Sequence, residues 1–141
     1  MLKKTVKYED FEGNIRQKDL YFYISKTELA EMETSTPGGF ANKLQKITEA
    51  PNGADIIETF KEIILTAYGE KSEDGERFIK KRNGVLLRDE FEESLAFDAL
   101  FSELIFDPDK AAAFVNSIMP KDVMENANKL KAQTTNLPSG K

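Results

Sequence analysis

The sequence predicts an α+β fold in which an N-terminal β-hairpin packs against a mainly helical domain. Residues 2–8 and 16–24 alternate apolar and polar side chains, as half-buried strands do. Most of the remaining chain has apolar residues at spacings of three and four, which indicates amphipathic helices. A short run at 77–87 leaves open whether the hairpin grows into a small antiparallel sheet of three or four strands. With 141 residues, the chain can bury a core without disulfides or metals.

The two predicted strands each have one apolar face. The apolar positions are Leu2, Val6, Tyr8, Leu20, Phe22 and Ile24. Between the strands, Gly13 and Asn14 tolerate a positive backbone φ, which favours a hairpin connection. Because an isolated hairpin is at best marginally stable in water, we expect helices to cover the apolar face.

Two helices are predicted directly after the hairpin. The first begins at Ser25, because Ser25 and Glu28 form a capping-box pattern in which each side chain can accept the other's backbone N–H. It is expected to end near Glu33, before a stretch rich in Thr, Pro and Gly. The second helix is expected at roughly 39–49.

The middle of the chain predicts the central core helix and a second hairpin. After a turn at 51–53, the segment 54–68 carries the clearest apolar stripe in the sequence. Gly69 follows it at the position of a left-handed C-terminal cap. Further on, Asn83-Gly84 lies between two short runs that contain apolar residues, the strongest short-range signal for a hairpin.

The C-terminal third is predicted to be helical. The run 88–106 has apolar residues at helical spacing, and Ser94 is a candidate N-cap that would divide it into two helices. Asp107 followed by Pro108 predicts the start of another helix over 108–118.

The domain boundary is expected close to the C-terminus. A last helix is predicted over 120–132, and the remaining residues are small or polar. We therefore expect one domain over 1–133 and a flexible tail over 134–141. Neither a signal peptide nor a membrane-spanning run is evident, so a cytoplasmic protein is expected.

Composition and charge exclude several classes of chemistry. The chain has no Cys and no His, which excludes disulfides, thiolate metal sites, cysteine nucleophiles and histidine-based triads. The 20 basic and 25 acidic residues give a net charge of −5, and no segment is strongly basic. A nucleic-acid partner is therefore not expected.

No motif predicts a cofactor or a metal. The loop that begins at Glu70 has the spacing of an EF-hand for six positions, but position 12, which should be a bidentate Glu, is Lys81. The Pro37-Gly38-Gly39 turn lacks the Gly-Lys-Ser/Thr of a phosphate-binding loop. Both segments are interpreted as ordinary connections.

No catalytic residue is expected either. The candidate carboxylates are Glu90, Glu92, Glu93, Asp107 and Asp109. The first three surround Phe91 and fit the solvated face of a helix, and the last two fit helix capping. Neither cluster has a nucleophile or a second base beside it, so the chain is not expected to be an enzyme.

Phenylalanine supplies the candidate partner-binding residues. The ten Phe include more rings in the C-terminal third than one inward helical stripe requires. We hypothesise an apolar groove for a partner helix, lined by Phe91, Phe97, Phe101 and Phe106.

Two further binding modes stay open at this point. Tyr21 and Tyr23 share one face of a predicted strand and could stack bases, which would make the chain a small nucleic-acid-binding or regulatory protein. An exposed hairpin edge can also pair between subunits, which would produce self-association.

Three stretches, taken in order, resemble the tail assembly chaperone family of long-tailed phages and prophages. They are KKTVKYEDFEGNIRQKDLYFYISKTELAEME at 3–33, FKEIILTAYGEKSEDGERFIK at 60–80 and RDEFEESLAFDALFSELIFDPDKAAAFVNSIMP at 88–120. The resemblance implies a non-catalytic chaperone in the host cytoplasm that binds the tape measure protein, helps recruit tail tube subunits and is absent from the mature virion. The family has no catalytic residue to carry over.

Overall fold

The computed structural model of the chain describes residues 1–49 and 54–120. The predicted turn at 51–53, the helix predicted beyond Pro120 and the tail at 134–141 lie outside the described residues.

The described residues form six strands and six helices. The strands are β1 (Leu2–Glu9), β2 (Ile15–Phe22), β3 (Tyr68–Lys71), β4 (Phe78–Ile79), β5 (Lys81–Arg82) and β6 (Val85–Leu86). The helices are α1 (Lys26–Ser35), α2 (Phe40–Glu49), α3 (Ala54–Ala67), α4 (Leu87–Glu92), α5 (Leu95–Ile105) and α6 (Pro108–Ile118). These elements confirm the predicted α+β class.

The N-terminal hairpin is the base of a four-stranded antiparallel sheet in the order β1-β2-β3-β4. β1 and β2 pair along their whole length, from Leu2 opposite Phe22 to Glu9 opposite Ile15. β3 adds to the other side of β2, and β4 adds to β3. The sequence left open whether the sheet has three or four strands, and it has four.

The Asn83-Gly84 pair forms the second predicted hairpin. It joins β5 and β6, which make a separate two-stranded sheet. Asn83 has a φ of 52° and Gly84 a φ of 80°, and positive φ at both central residues defines the type I′ turn that two-residue hairpins prefer.

The core lies on one face of the four-stranded sheet. Val6, Leu20 and Phe22 point their side chains into it and are buried, as the alternation predicts. The ring of Phe22 meets that of Phe114 on α6 edge to face, with centroids 5.1 Å apart. α5 packs along β1, and α4 lies against β3.

The end of the hairpin and the last described residues meet beside this core. The backbone N–H of Ile24, just after β2, donates to the carbonyl of Ile118 at the end of α6, at 3.1 Å. Met119 and Pro120 continue from α6 as buried residues. The exit from the hairpin and the C-terminus of α6 are therefore joined directly.

The predicted helix starts are confirmed by their caps. Ser25 and Glu28 form the complete capping box of α1. Ser94 accepts the N–H of Phe97 and divides the 88–106 run into α4 and α5. The Asp107 carboxylate accepts N–H groups from the first turn of α6.

The prediction for Gly69 is wrong. α3 ends at Ala67, Tyr68 already belongs to β3, and Gly69 lies inside that strand without a positive φ. A Cβ atom at Gly69 would lie 2.5 Å from Cε2 of Phe78 and 2.6 Å from the carbonyl oxygen of Ile79. Glycine is required here because β4 approaches β3 closely, and not because a helix is capped.

Candidate partner-binding surface

The four phenylalanines predicted to bind a partner have very different exposures. Phe91 and Phe97 belong to the core, with 4% and 8% of their surface exposed. Phe101 is half-buried against the core. Phe106 is 85% exposed. The four rings therefore do not line one open surface, and partner binding by them stays a prediction.

Three of these rings form a continuous series of contacts. The centroids of Phe91 and Phe97 are 5.3 Å apart, and those of Phe97 and Phe101 are 5.7 Å apart. The series continues from Phe91 to Tyr68 on β3 and from Phe101 to Phe60 on α3. These rings tie α4 and α5 to β3 and α3, which gives them a packing role.

Phe106 occupies an exposed corner between α5 and α6. It is the C-cap residue of α5, and Asp107, the N-cap of α6, follows directly. Three residues earlier, the Glu103 carboxylate lies 3.4 Å from Nζ of Lys4 and 3.3 Å from Nζ of Lys110. We call this region the Phe106 corner: one exposed aromatic ring with ion pairs beside it.

Such a corner can anchor a partner. Buried aromatic residues with a polar rim are the common arrangement of binding hot spots.

A groove of about 390 Å³ lies between the first four helices. Its lining includes Met32, Phe40, Lys43, Lys61, Glu62 and Glu92. Its rim is partly closed by ion pairing, because Nζ of Lys61 lies 2.8 Å from the Glu92 carboxylate. This pairing gives Glu92 a structural partner on α3.

Lys80 is a partly buried cation, with 27% of its side-chain surface exposed. Its ammonium donates to the carbonyl of Tyr23 at 2.9 Å and to the carbonyl of Thr66, and it lies 3.4 Å from the Glu28 carboxylate. Burial lowers the pKa of Lys80, and the Glu28 carboxylate opposes that shift. A cavity of about 200 Å³ lies beside it. Since three acceptors surround the ammonium, we assign Lys80 a structural role that the sequence did not indicate.

In the loop that begins at Glu70, side-chain oxygens form hydrogen bonds within the loop. The Ser72 hydroxyl donates to the Asp74 carboxylate at 2.6 Å, and the same carboxylate oxygen accepts the N–H of Glu76 at 3.0 Å. In the part of the chain that the structure describes, no group of three or more acidic side chains could hold a metal ion.

The tyrosine face is only partly open. Tyr21 and Tyr23 are half-buried, and the Tyr23 ring meets that of Phe78 edge to face at 5.9 Å. The contact with Phe78 gives Tyr23 a packing role on this face of the sheet.

A family model described as phage tail assembly chaperone matches residues 1–139. The chain belongs to this family. The match includes residues 81–87, which lie between two of the resembling stretches, and it extends past residue 120, where the last of them ends. Searches of curated proteins and of solved structures gave no match.

Family membership gives the chaperone a role in phage tail assembly. Its partners in that process are proteins. Within the described residues, no helix is both long and apolar enough to cross a membrane.

Proposed function

We propose that this chaperone binds the tape measure protein of a long-tailed phage or prophage and helps recruit tail tube subunits. The observation that carries the proposal is the family match over nearly the whole chain. In this proposal the role is non-catalytic, the chaperone acts in the host cytoplasm, and it is not part of the mature virion.

The Phe106 corner is the proposed contact for the client. A largely helical client with exposed apolar residues needs an apolar anchor on a highly charged carrier, and Phe106 offers an almost fully exposed ring. Phe101 lies on the same helix and keeps part of its ring exposed, while Phe91 and Phe97 support α5 from the core. The proposed contact is therefore Phe106 with the exposed part of Phe101, and Phe91 and Phe97 pack behind it.

The test is co-expression with the tape measure protein of the same phage, followed by affinity capture through a tag on the chaperone. We expect the wild-type chaperone to retain the client in the soluble fraction. We expect Phe106→Asp to reduce capture at least tenfold, because a carboxylate cannot enter an apolar pocket without a large desolvation cost.

Phe11→Asp is the matched control. Phe11 is also 85% exposed, but it lies in the β1–β2 loop on a different part of the molecule. Equal capture by both variants would contradict the assignment of the Phe106 corner. Failure of the wild-type chaperone to capture or solubilise the client would contradict the proposed function itself.

The proposed domain boundary can be tested independently. A chain that ends at residue 133 is expected to melt at the same temperature as the full chain, as measured by circular dichroism. A lower melting temperature would show that the domain extends further.

A further inference from the structure

β1 is an edge strand that is long and strongly charged. It pairs with β2 over all eight of its residues and with no other described strand. An unpaired strand edge presents backbone N–H and C=O groups that another strand can bind.

The hairpin connection fixes which backbone groups of β1 point to the open edge. The N–H of Asp10 donates to the carbonyl of Asn14 at 2.8 Å, so these residues form a hydrogen-bonded pair. Hydrogen-bonded and non-hydrogen-bonded pairs alternate along an antiparallel ladder. Glu9 and Ile15 therefore form a non-hydrogen-bonded pair. Following the alternation along β1, Lys3 and Tyr21 also form a non-hydrogen-bonded pair.

The pairing of β2 with β3 independently shows which residues of β2 direct their backbone groups towards β1. The N–H of Tyr23 donates to the carbonyl of Ala67, and Tyr21 pairs with Gly69 on β3. Odd-numbered residues of β2 thus direct their backbone groups towards β3 and away from β1. It follows that the odd-numbered residues of β1 direct theirs to the open edge; these are Lys3, Thr5, Lys7 and Glu9.

The charge of this edge is opposite to that of the whole chain. Of the residues whose backbone groups face the open edge, two are lysines and one is a glutamate, whereas the full chain has a net charge of −5. The third lysine of β1, Lys4, lies on the other face and pairs with Glu103. Lys3 lies 3.6 Å from the Asp19 carboxylate, while Lys7 is exposed and pairs with no carboxylate among the described residues. Lys3 and Lys7 also stand on the outer face of the sheet, away from the core.

We propose that β1 is a docking edge for an extended, acidic segment of a partner protein. The segment adds as an antiparallel fifth strand, with its backbone bound to the odd-numbered residues and carboxylates opposite Lys3 and Lys7. A second copy of β1 fits this edge less well. It can place its Glu9 opposite Lys3, but in that register the Lys7 of each strand lies opposite Thr5 and faces no carboxylate.

The test uses two end-capped peptides and needs no tail protein. One is Thr-Glu-Val-Thr-Val-Glu-Thr, whose two glutamates face Lys3 and Lys7 when it pairs antiparallel, and the other has lysines in place of glutamates. Binding is followed by NMR at low ionic strength, together with amide hydrogen exchange. We expect the acidic peptide to bind at least tenfold more tightly and to slow exchange at Lys3, Thr5 and Lys7.

Two variants of Lys7 distinguish the contribution of its backbone N–H to peptide binding from the contribution of its side-chain charge. Lys7→Pro removes an N–H that points to the open edge and is not part of the ladder with β2, so the fold is expected to persist while peptide binding is lost. Lys7→Ala keeps the N–H and is expected to weaken binding of the acidic peptide only moderately. Lys3→Glu combined with Lys7→Glu is expected to reverse the preference between the two peptides.

Three results would overturn the proposal. They are equal binding of the two peptides by the wild-type protein, amide protection outside β1, and a wild-type dimer that Lys7→Pro converts to monomer in sedimentation. The last result would assign the edge to a second copy. Because no tape measure protein is used, none of these results bears on the proposed function.

Discussion

Tyr68 and Phe91 stack face to face, with ring centroids 3.9 Å apart and planes within 8° of parallel. The contact joins β3 to α4, and Phe22 touches both rings from β2, with centroids about 6 Å away. Burial of the Tyr68 ring raises the pKa of its hydroxyl. Phe91 is therefore a packing residue at the junction of sheet and helices.

Phe91→Ala is expected to lower the free energy of unfolding by about 3–5 kcal/mol, the range for removing a buried Phe ring. Phe106→Ala, at an exposed position, is expected to change it by less than about 0.5 kcal/mol. Urea denaturation of both variants checks this pair. A stable Phe91→Ala protein would show that the ring does not hold α4 in place.

Gly69→Ala is expected to destabilise the protein by about 1–3 kcal/mol, because the new Cβ overlaps Phe78 and the backbone of Ile79. Gly69→Asn should cost more, since its side chain is larger. Thermal unfolding measures both changes. A helix-capping role would predict the reverse order, because Asn is accepted at left-handed C-caps.

Lys80→Met is expected to cost about 1–3 kcal/mol, because the enclosed carbonyls of Tyr23 and Thr66 lose a charged donor. Lys81→Met is the control, since Lys81 is the exposed neighbour. Urea midpoints of the two variants make the comparison. Similar midpoints would mean that water can hydrogen-bond to these carbonyls in place of the ammonium without a loss of stability.

The tip of the first hairpin is expected to loosen in acid. A hydrogen bond from Arg16 and another from the N–H of Asn14 hold the pKa of Asp10 below its usual 3.8. Because the folded pKa is the lower one, this stabilisation is complete above about pH 3.8 and is lost as the pH falls through the folded value.

NMR titration of the Asp10 carboxyl, with exchange rates of the Glu12 and Asn14 amides, tests that expectation. Arg16→Gln should move the titration towards 3.8, because it removes the first of these hydrogen bonds. An unshifted midpoint in the wild-type protein would contradict it.

Local signals predicted much of this fold. The hairpin turns and the caps at Ser25, Ser94 and Asp107 depend on a few adjacent residues, so their chemistry is visible in the sequence. The prediction for Gly69 failed because its environment is set by β4, which is separated from it by a loop.

The candidate site was less predictable for the same reason. A surplus of Phe indicates apolar surface, but packing between distant elements decides which rings are covered. Phe91 stacks on Tyr68 of β3, and Phe97 packs against Phe91 and Phe101. The role of Lys80 depends on carbonyl groups contributed by Tyr23 and Thr66, at distant positions in the chain. Residue spacing carries no signal for such contacts.

The hydrogen bond between Ile24 and Ile118 has a consequence for folding during synthesis. The hairpin leaves the ribosome first, but α6, which contributes Phe114 to the core beside Phe22, is synthesised last among the described elements. A nascent chain that stops before α6 exposes that aromatic face to solvent and to other chains. The core is therefore complete only after residue 118 has emerged from the ribosome, because α6 supplies Phe114 and Ile118 to it.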